Sequence, residues 1–301
     1  ADQLSLVELP DPVAGKGQVL IKVEAAGIGL VDVMQRQGYL GVTAAGFVPG
    51  IEVAGVVASV GADVDPGLIG RRVYAQGRGG YAGQFLAEAR RVVPLPEGLS
   101  AEEAVALGVN ALVAHFSLER ARLRAGETVL VRGASGGIGA LAARMAVLSG
   151  AEVTAVTHAD AASRVEALGV RQVVRRGLDP QPEGPFDVII DPVAGAAVPG
   201  FIATLAPNGR YVINGAAAGI PPDGVGDALL GAFAASPSYS LLSLDSVPVA
   251  DLVSATAAIL GQAAEARIRP IIAEILPLRD AARAHKMLES GKSFGKLLLR
   301  P

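Results

Sequence analysis

The residues whose types and spacing point most clearly to chemistry lie in Gly133-Ala-Ser-Gly-Gly-Ile-Gly139, which follows an apolar run and precedes an alanine-rich segment. This order predicts a strand, a tight turn and a helix. Gly136, Gly137 and Gly139 have no Cβ, so a ligand can approach the backbone and the helix can pack closely on the strand. Unpaired N–H groups and the helix dipole attract a pyrophosphate at such a turn. A plain βα turn would also be glycine-rich, but the strand predicted at 150–157 supplies the context of a dinucleotide site.

Length and composition narrow the class of protein. A chain of 301 residues is long enough for two domains, and its 51% apolar and 4% aromatic content favours tightly packed α/β layers. A net charge of −3 leaves no broad basic surface for nucleic acid. The absence of cysteine excludes disulfides and zinc sites with thiolate ligands. No apolar run reaches membrane-spanning length and the start lacks the features of a signal peptide, so a cytoplasmic protein is expected.

The elements that must position the glycine turn can be predicted from periodicity. Residues 1–100 are predicted to be rich in strands, including 19–25 and a strand pair at 50–61. Ser100 and Glu103 have the spacing of a capping box, which opens a helix expected to end near Gly108. Strands then alternate with helices, which is typical of a doubly wound parallel sheet. These strands are predicted at 127–132, 152–157, 171–175, 186–191 and 209–214, followed by a helix at 249–266, a strand at 271–276 and a helix at 278–290 that ends before Gly291.

Several motifs together resemble one family. They are Pro10-Asp-Pro12, Ala25-Ala-Gly-Ile-Gly-Leu-Val-Asp32, Val48-Pro-Gly-Ile-Glu-Val-Ala-Gly-Val-Val57, the glycine turn, Phe186-Asp-Val-Ile-Ile-Asp191 and Gly295-Lys-Leu-Leu-Leu299. Over essentially the whole chain, the sequence resembles the zinc-independent medium-chain dehydrogenase/reductases, specifically the quinone oxidoreductase (zeta-crystallin-like) branch. The resemblance implies an α/β fold in which a GroES-like β-rich domain (1–104 and 269–301) accompanies a Rossmann doubly wound parallel-sheet domain (105–268). It also implies that the sequence begins just after the family's first strand, with a short further segment before the part that matches Asp2.

The resemblance also suggests a reaction. Zinc-dependent relatives have cysteine where Gly29 stands and histidine where Ile51 stands, and neither replacement can bind a metal. What remains is hydride transfer from reduced nicotinamide to a quinone or an α,β-unsaturated carbonyl. That reaction requires positioning, exclusion of water and hydrogen-bond donors for the substrate oxygen. Where relatives often carry asparagine and tyrosine, this chain has Gly29 and Met34, which predicts a roomier, apolar pocket for a hydrophobic substrate.

Two residues are candidates for catalysis by this resemblance. Arg36 and Tyr39 lie on the segment that lines the substrate site in relatives, and Tyr39 could donate a hydrogen bond to the substrate oxygen or simply cap a loop. Asp32 and Glu52 match acidic positions of the family. Each is interpreted either as part of the site's architecture or as a carboxylate satisfied by backbone N–H groups or an arginine. His115 and His285 lie in helical patterns and are expected at the surface or in packing.

The predicted cofactor is NADPH. NAD-specific proteins carry an acidic residue at the end of the second strand, where this chain has Thr157; His158, Arg164 and Arg175 are candidate partners for a 2′-phosphate. Asp160 could instead reach the ribose. Asn110 stands near the position of a threonine that lies beside the cofactor in relatives. The full predicted set of cofactor-binding residues is Asn110, Ala134, Ser135, Gly136, Gly137, Ile138, Gly139, Thr157, His158, Arg164, Val193, Asn214, Gly215 and Lys296.

Three functions remain open at this point. The first is an NADPH-dependent quinone or enone reductase. The second is an enoyl-thioester reductase of fatty-acid or polyketide type, and the third is a non-catalytic NADPH-binding protein, which the loss of polar pocket residues would suit. Members of the family commonly pair their Rossmann sheets edge to edge. We therefore expect a homodimer in which 239–244 supplies the edge strand, since so apolar a strand would otherwise favour aggregation.

Overall fold

The computed structural model describes residues 4–39 and 46–301, so Asp2, where the family match begins, lies outside the described part. The chain divides into two compact units. One contains the described residues up to Val109 together with Val247–Pro301, and the other is Asn110–Ser246. The predicted boundaries assigned the helix at 249–266 to the Rossmann domain. In the structure this helix lies in the first unit, because its Leu252 and Thr256 line a small cavity with Tyr74 of that unit.

In the first unit, the described residues form a seven-stranded sheet in the order β12-β13-β1-β2-β3-β5, with β4 also paired to β1. The strands are β1 (Gln18–Ile28), β2 (Glu52–Val60), β3 (Arg72–Gln76), β4 (Gln84–Glu88), β5 (Val92–Pro94), β12 (Ile272–Pro277) and β13 (Lys296–Arg300). Only β12 and β13 pair in parallel; the other described pairs are antiparallel. The C-terminal strands therefore complete the sheet begun by the N-terminal ones, as the resemblance implied.

Strand β1 shows why this sheet forms. Val19, Ile21 and Val23 are buried, whereas the exposed Lys22 lies between them, so the alternation places one face in the core. The segment predicted as a strand pair at 50–61 is instead the single strand β2. Its Gly55 does not mark a bend between two strands: a Cβ there would overlap the carbonyl oxygen of Lys22 on β1, so glycine permits close pairing.

In the second unit, the described residues form a six-stranded sheet in the order β11-β10-β9-β6-β7-β8, with every pair parallel. The strands are β6 (Thr128–Val131), β7 (Glu152–Thr157), β8 (Gln172–Arg175), β9 (Phe186–Asp191), β10 (Leu205–Ile213) and β11 (Ser238–Leu241). The chain fills one side of β6 and then returns to fill the other side, beginning with β9. Ligands bind doubly wound sheets beyond the carboxyl ends of the strands at such a reversal. The predicted Rossmann architecture is confirmed.

The described helices are α1 (Leu30–Arg36), α2 (Ala101–Arg120), α3 (Gly137–Leu148), α4 (Ala162–Glu166), α5 (Val198–Ile202), α6 (Val225–Gly231), α7 (Val249–Ala264) and α8 (Ala281–Glu289). The capping box that opens α2 is present, because Ser100 Oγ accepts from the N–H of Glu103 and Glu103 Oε2 accepts from the N–H of Ser100. The helix loses helical geometry at Gly108, where it was predicted to end, and a second helical segment follows directly and continues to Arg120. Within the described residues, no helix is both long and apolar enough to cross a membrane.

Candidate active site

The glycine turn between β6 and α3 has the close packing that its sequence predicts. Helix α3 begins after Gly136, which has no side chain to cap the helix, so its first N–H groups remain available to a ligand. A Cβ on Gly139 would overlap the carbonyl oxygen of Gly133, and a Cβ on Gly137 would overlap the side-chain amide of Asn110. The N–H of Ala134 donates to the carbonyl of Val156 on β7 at 2.9 Å and ties the turn to the neighbouring strand. The turn is therefore a rigid backbone cradle with Asn110 at its edge.

The carboxyl end of β7 carries two buried polar atoms that have no hydrogen-bond partner in the described part of the chain. Thr157 is 3% exposed, and neither its Oγ1 nor the Nε2 of His158 has a hydrogen-bond partner within the described residues. A buried polar group without a partner costs about 1–3 kcal/mol, so such groups are rare unless a ligand or water satisfies them. Their position at the end of the second Rossmann strand fits the ribose of a dinucleotide.

The cations predicted to bind a 2′-phosphate have different environments. Arg164 is exposed and its Nη2 lies 3.5 Å from the carbonyl oxygen of Asp160. Arg175 is held by Asp179, with Nη2 at 2.7 Å and Nε at 3.0 Å from its carboxylate oxygens. The exposed Arg176 donates its backbone N–H to the carbonyl of Thr157 at 2.7 Å. The pairing of β7 with β8 brings Arg176 to Thr157, beside the predicted ribose position. The sequence alone does not show this proximity.

Asp191 organises the turn that follows β9. Its Oδ1 accepts from the N–H groups of Val193 and Ala194 at 2.8 and 2.9 Å. Its Oδ2 accepts from Arg132 at 2.5 Å and from the hydroxyl of Tyr211 at 2.6 Å. Burial, and then the charge of Asp191, raise the pKa of Tyr211, so its hydroxyl stays protonated as a donor. Asp191 belongs to a family motif in the sequence, but its two side-chain partners lie on or directly after the neighbouring strands β10 and β6 and leave no local signal.

The remaining predicted residues of the second unit lie at the same edge of the sheet. Val193 faces the glycine turn, since a Cβ on Gly133 would overlap its Cγ2. The N–H of Asn214 donates to the carbonyl of Asp191 at 3.1 Å, and its buried Oδ1 has no partner among the described residues. A Cβ on Gly215 would lie 2.6 Å from the carbonyl oxygen of Pro192. Val193, Asn214 and Gly215 therefore lie with the glycine turn and Thr157 at the carboxyl ends of β6, β7, β9 and β10, whereas Asn110 lies on α2 and Arg164 on α4.

In the first unit, Asp32 is fully buried within a hydrogen-bond chain. Its Oδ1 accepts from the N–H of Gly50 at 3.0 Å, and its Oδ2 accepts from the N–H of Gly29 at 2.8 Å and from Tyr81 at 3.2 Å. Burial raises the pKa of Asp32 to about 6, although these donors and the charge of Lys296 oppose the increase. This carboxylate is therefore satisfied mainly by backbone N–H groups, the second of the two interpretations that the sequence left open.

The chain continues from Tyr81 to His285, whose Nε2 lies 3.0 Å from the tyrosine hydroxyl. An ionised Asp32 can only accept, so Tyr81 donates to it and its oxygen accepts from His285. The proton of neutral His285 is thereby assigned to Nε2, and Nδ1 is left as a buried acceptor without a partner among the described residues. Burial, and then the charge of Arg36, lower the pKa of His285 to about 4. His285 is thus a buried member of a polar chain and not a surface residue.

Glu52 is the second buried carboxylate of this unit. Its Oε1 lies 2.5 Å from Nζ of Lys296, and its Oε2 accepts from the hydroxyl of Tyr74 and from the N–H of Val109, both at 2.8 Å. Lys296, which was predicted to bind the cofactor, is 3% exposed. Gly29 and Ile51 offer no ligating side-chain atoms. Among the described residues, no group of three histidine, aspartate or glutamate side chains could hold a metal ion. The carboxylates at this site therefore accept hydrogen bonds from protein groups. The side chains available as metal ligands here do not fit zinc.

The two predicted catalytic residues lie near the end of α1. Arg36 forms an ion pair with Glu289 of α8, and Gln37 donates to the same carboxylate at 2.9 Å. The Arg36 side chain is only 10% exposed. Tyr39 is 74% exposed and directly precedes residues that lie outside the described part. The structure thus places a held cation and an exposed phenol on the same short segment.

Known proteins identify the family. An alcohol dehydrogenase GroES-like domain matches residues 15–97, and a zinc-binding dehydrogenase domain matches residues 159–299. The quinone oxidoreductase of Mus musculus is 32% identical over 309 residues, which cover 96% of this chain and 90% of that protein. The chain belongs to the quinone oxidoreductase branch of the medium-chain dehydrogenase/reductases.

Other members of the family show two further similarities. A phenolphthiocerol/phthiocerol polyketide synthase subunit of Mycobacterium tuberculosis is 34% identical over 298 residues, which cover 94% of this chain but 13% of that protein. The chain thus spans only a small part of the polyketide synthases that it matches. A mycobacterial protein solved in complex with NADPH has 28% identity and a TM-score of 0.88, over 98% of this chain and 94% of that one. The same fold therefore carries NADPH in one relative and forms part of a large synthase in another.

Proposed function

We propose that this member of the quinone oxidoreductase family is a metal-free, NADPH-dependent reductase that transfers a hydride to a quinone or an α,β-unsaturated carbonyl. The observation that carries the proposal is the state of the two buried carboxylates. Every described contact of Asp32 and Glu52 is with a protein donor, and Gly29 and Ile51 supply no ligand. Activation of the substrate oxygen then falls to hydrogen-bond donors and not to a bound metal.

The cofactor assignment is supported by the buried polar atoms that lack hydrogen-bond partners among the described residues. The glycine turn would bind the pyrophosphate through its backbone N–H groups, while Thr157 and His158 would face the adenosine ribose. Asn214 Oδ1, also without a described partner, would accept a hydrogen bond from the cofactor at the end of β10. When bound, NADPH supplies the hydride. The protein's part is to bind and orient the cofactor and to exclude water.

Selection of NADPH over NADH follows from charge at the end of β7. Thr157 is neutral, so it does not repel a 2′-phosphate as a carboxylate would. His158, Arg164 and Arg176 are the nearby cationic or protonatable side chains that would attract this phosphate, whereas Arg175 is held by Asp179. One charge-assisted hydrogen bond is worth roughly 1.5–3 kcal/mol, or about tenfold to a hundredfold in affinity.

Exchange of the residue at the ribose tests the preference for NADPH. Thr157→Asp should weaken NADPH binding by roughly tenfold to a hundredfold and leave NADH similar or stronger. Thr157→Ser is the matched control, because it retains a neutral hydroxyl and should keep the preference for NADPH. The measurement is the ratio of kcat/KM for the two cofactors. A wild-type preference for NADH that Asp160→Ala abolishes would assign the ribose to Asp160 and refute this account.

For the substrate, Tyr39 and Arg36 would act on the electrophile's oxygen. Tyr39 would donate a hydrogen bond, and Arg36, held by Glu289, would present a fixed positive charge near the developing negative charge. Gly29 and Met34 leave the pocket apolar, which suits a hydrophobic quinone or enone. Tyr39→Phe should lower kcat about tenfold to a hundredfold with little change in NADPH affinity, the magnitude of one lost donor to a developing oxyanion. An unchanged kcat would remove Tyr39 from the reaction.

Metal independence has its own test. Metal analysis of the purified protein should show zinc far below one equivalent, and treatment with a chelator should leave turnover unchanged. The buried Glu52–Lys296 pair provides the reason, since a metal could bind Glu52 only after displacing the lysine. Stoichiometric zinc, with turnover lost to the chelator and restored by zinc, would refute the proposal.

An enoyl-thioester reductase is the second candidate, and one observation favours it: the 34% identity to a polyketide synthase subunit over 94% of this chain. The two candidates share the cofactor and the hydride transfer but differ in acceptor. Turnover should be compared for a quinone, a simple enone and an enoyl thioester at saturating NADPH. A kcat/KM for the thioester more than tenfold above the other two would favour the second candidate. NADPH binding without turnover of any acceptor would favour a binding protein.

We also propose that the protein forms a homodimer through β11, the last strand of the second unit's sheet. Leu241 on this strand is 65% exposed, and Phe233, just before it, is 78% exposed. A strand edge with exposed apolar side chains favours pairing with another strand. A second copy would cover these side chains and satisfy the edge of the sheet.

A further inference from the structure

Helix α2 is interrupted at Gly108, shortly before Asn110 of the proposed cofactor site. Gly108 has φ 11° and ψ −125°, which are not helical, and Asn110 follows two residues later. An interruption of this kind leaves N–H groups of the next helical turn without a carbonyl partner. The N–H of Val109 is satisfied from outside the helix, by Oε2 of Glu52 at 2.8 Å. Glu52 therefore caps the second half of α2, although it lies 57 residues earlier in the chain.

The capping carboxylate is held by its own partners. Lys296 contacts its Oε1 at 2.5 Å and Tyr74 donates to its Oε2 at 2.8 Å. Glycines adjoin it on two sides, because a Cβ on Gly27 or on Gly108 would overlap the Glu52 side chain. Glu52 is 0% exposed. These contacts hold the carboxylate in one place, so the N–H of Val109 has to lie beside it in order to donate to it.

A buried ion pair adds little stability on its own, because desolvation of the two charges offsets most of their attraction. The pair of Glu52 and Lys296 does more than neutralise charge, since one oxygen of the carboxylate also accepts the N–H at the helix interruption. The oxygens are divided: Oε1 for Lys296, and Oε2 for Tyr74 and Val109. Because Oε2 accepts from the N–H of Val109, the carboxylate also helps to fix where the backbone runs at the helix interruption.

Asn110 is the residue that this path affects first. It is 7% exposed, and its side-chain amide occupies the space that a Cβ on Gly137 would need at the start of α3. The position of the Asn110 amide therefore depends on where the second half of α2 begins. We infer that Glu52 is a positioning residue for the cofactor site: by capping α2 at Val109, it places Asn110 beside the glycine turn. The inference rests on the proposed NADPH site.

A double-mutant cycle on NADPH binding tests the inference. The variants are Glu52→Asp, Asn110→Ala and the two together. Glu52→Asp keeps the charge opposite Lys296 but is shorter by one methylene, so it cannot satisfy Lys296 and Val109 in the same way. The dissociation constant of NADPH is measured by titration without substrate, and thermal unfolding is recorded for each variant. Loss of an N-cap corresponds to roughly a threefold to thirtyfold change in an equilibrium constant.

The expected result is that Glu52→Asp weakens NADPH binding by about this factor in the wild-type background and by less than twofold in the Asn110→Ala background. Tyr74→Phe is the matched control, because it removes another donor to the same oxygen and leaves the cap. It should lower the melting temperature without changing NADPH affinity more than about twofold. A purely structural role for Glu52 would give equal losses in both backgrounds.

The outcomes separate the inference from the proposed function. Equal, additive losses in both backgrounds overturn the inference, and so does an Asn110→Ala variant that binds NADPH as tightly as wild type. Wild-type protein that does not bind NADPH refutes the proposed function itself. If Glu52→Asp does not fold, Glu52→Gln in the two backgrounds provides the same comparison, since the amide also alters the acceptor opposite Val109.

Discussion

The chain from Asp32 through Tyr81 to His285 predicts an unusual dependence of stability on pH. The pKa values of its two ends, Asp32 and His285, are shifted in opposite directions over the same pH range. Burial raises the pKa of Asp32 from its usual 3.8 to about 6. Burial also lowers the pKa of His285 from its usual 6.5 to about 4. Between about pH 4 and pH 6, the folded protein therefore holds a proton at Asp32 that the unfolded chain releases, and lacks a proton at His285 that the unfolded chain binds.

The consequences for stability follow from this difference. The contribution of Asp32 is greatest below pH 3.8 and is lost as the pH rises through about 6, whereas that of His285 is gained as the pH rises from about 4 to 6.5. Each shift of two to two and a half units corresponds to about 3 kcal/mol in the free energy of unfolding. In wild type the two contributions nearly cancel.

Each single substitution should expose the other contribution. Asp32→Asn leaves His285, so the free energy of unfolding should rise by about 3 kcal/mol, relative to wild type, from pH 4 to pH 6.5. His285→Gln leaves Asp32, and the free energy should fall by a similar amount relative to wild type. Both replacements retain groups that can hydrogen-bond to Tyr81, because an amide can donate or accept.

The measurement is urea unfolding followed by circular dichroism at several pH values and constant ionic strength, with each variant plotted as a difference from wild type. Asp63→Asn controls for the loss of one negative charge, since Asp63 is exposed and paired only with Lys16 in the described structure. Difference curves for Asp32→Asn and His285→Gln that run parallel to the control would refute the reasoning. They would mean that neither group titrates differently in the folded and unfolded states.

Three further predictions concern the second unit. Asp191→Asn should lower the free energy of unfolding by about 3–5 kcal/mol, because it leaves Arg132 buried without its counter-charge; a loss below 1 kcal/mol by urea unfolding would contradict this. Gly137→Ala should weaken NADPH binding by about tenfold or more, since the new Cβ displaces the Asn110 amide; unchanged affinity by titration would show that the cradle tolerates a side chain. Leu241→Lys should convert a dimer into a monomer in sedimentation at micromolar concentration, because a charge on the edge strand opposes pairing; a wild-type monomer, or a Leu241→Lys dimer, would exclude this interface.

The parts of the protein that depend on neighbours in sequence could be predicted from sequence. The strands at 152–157 and 186–191 were predicted with the bounds that the structure has, because each is a short apolar run between turn residues. The glycine turn was recognised because the absence of Cβ atoms at set spacings has a local steric meaning. The capping box of Ser100 and Glu103 is similarly local, as its two hydrogen bonds join residues three positions apart.

The periodicity of apolar residues could not show how a helix or strand continues where a residue far away in the sequence contacts it. Helix α2 was expected to stop near Gly108, where glycine and a change of pattern suggest an end. Its helical geometry does end there, but the pattern did not show that a second helical segment follows at once, with the N–H of Val109 bound by a carboxylate from β2. The predicted strand pair at 50–61 is one strand for a similar reason, since the glycine within it serves close pairing with β1. In both places the glycine allows another part of the protein to come close. Only the structure shows whether the chain also turns there.

The sequence by itself thus determined the glycine turn, the order of strands and helices, the family and the lack of metal-ligating side chains at 29 and 51. The tertiary structure decided the partners of each buried charge. Lys296 meets Glu52 across 244 residues, and Tyr81 meets His285 across 204. Local spacing carries no information about such pairs, because sheet order and helix packing bring them together. Burial then raises the pKa of Tyr81 and lowers the pKa of His285, and neither shift can be read from the sequence alone.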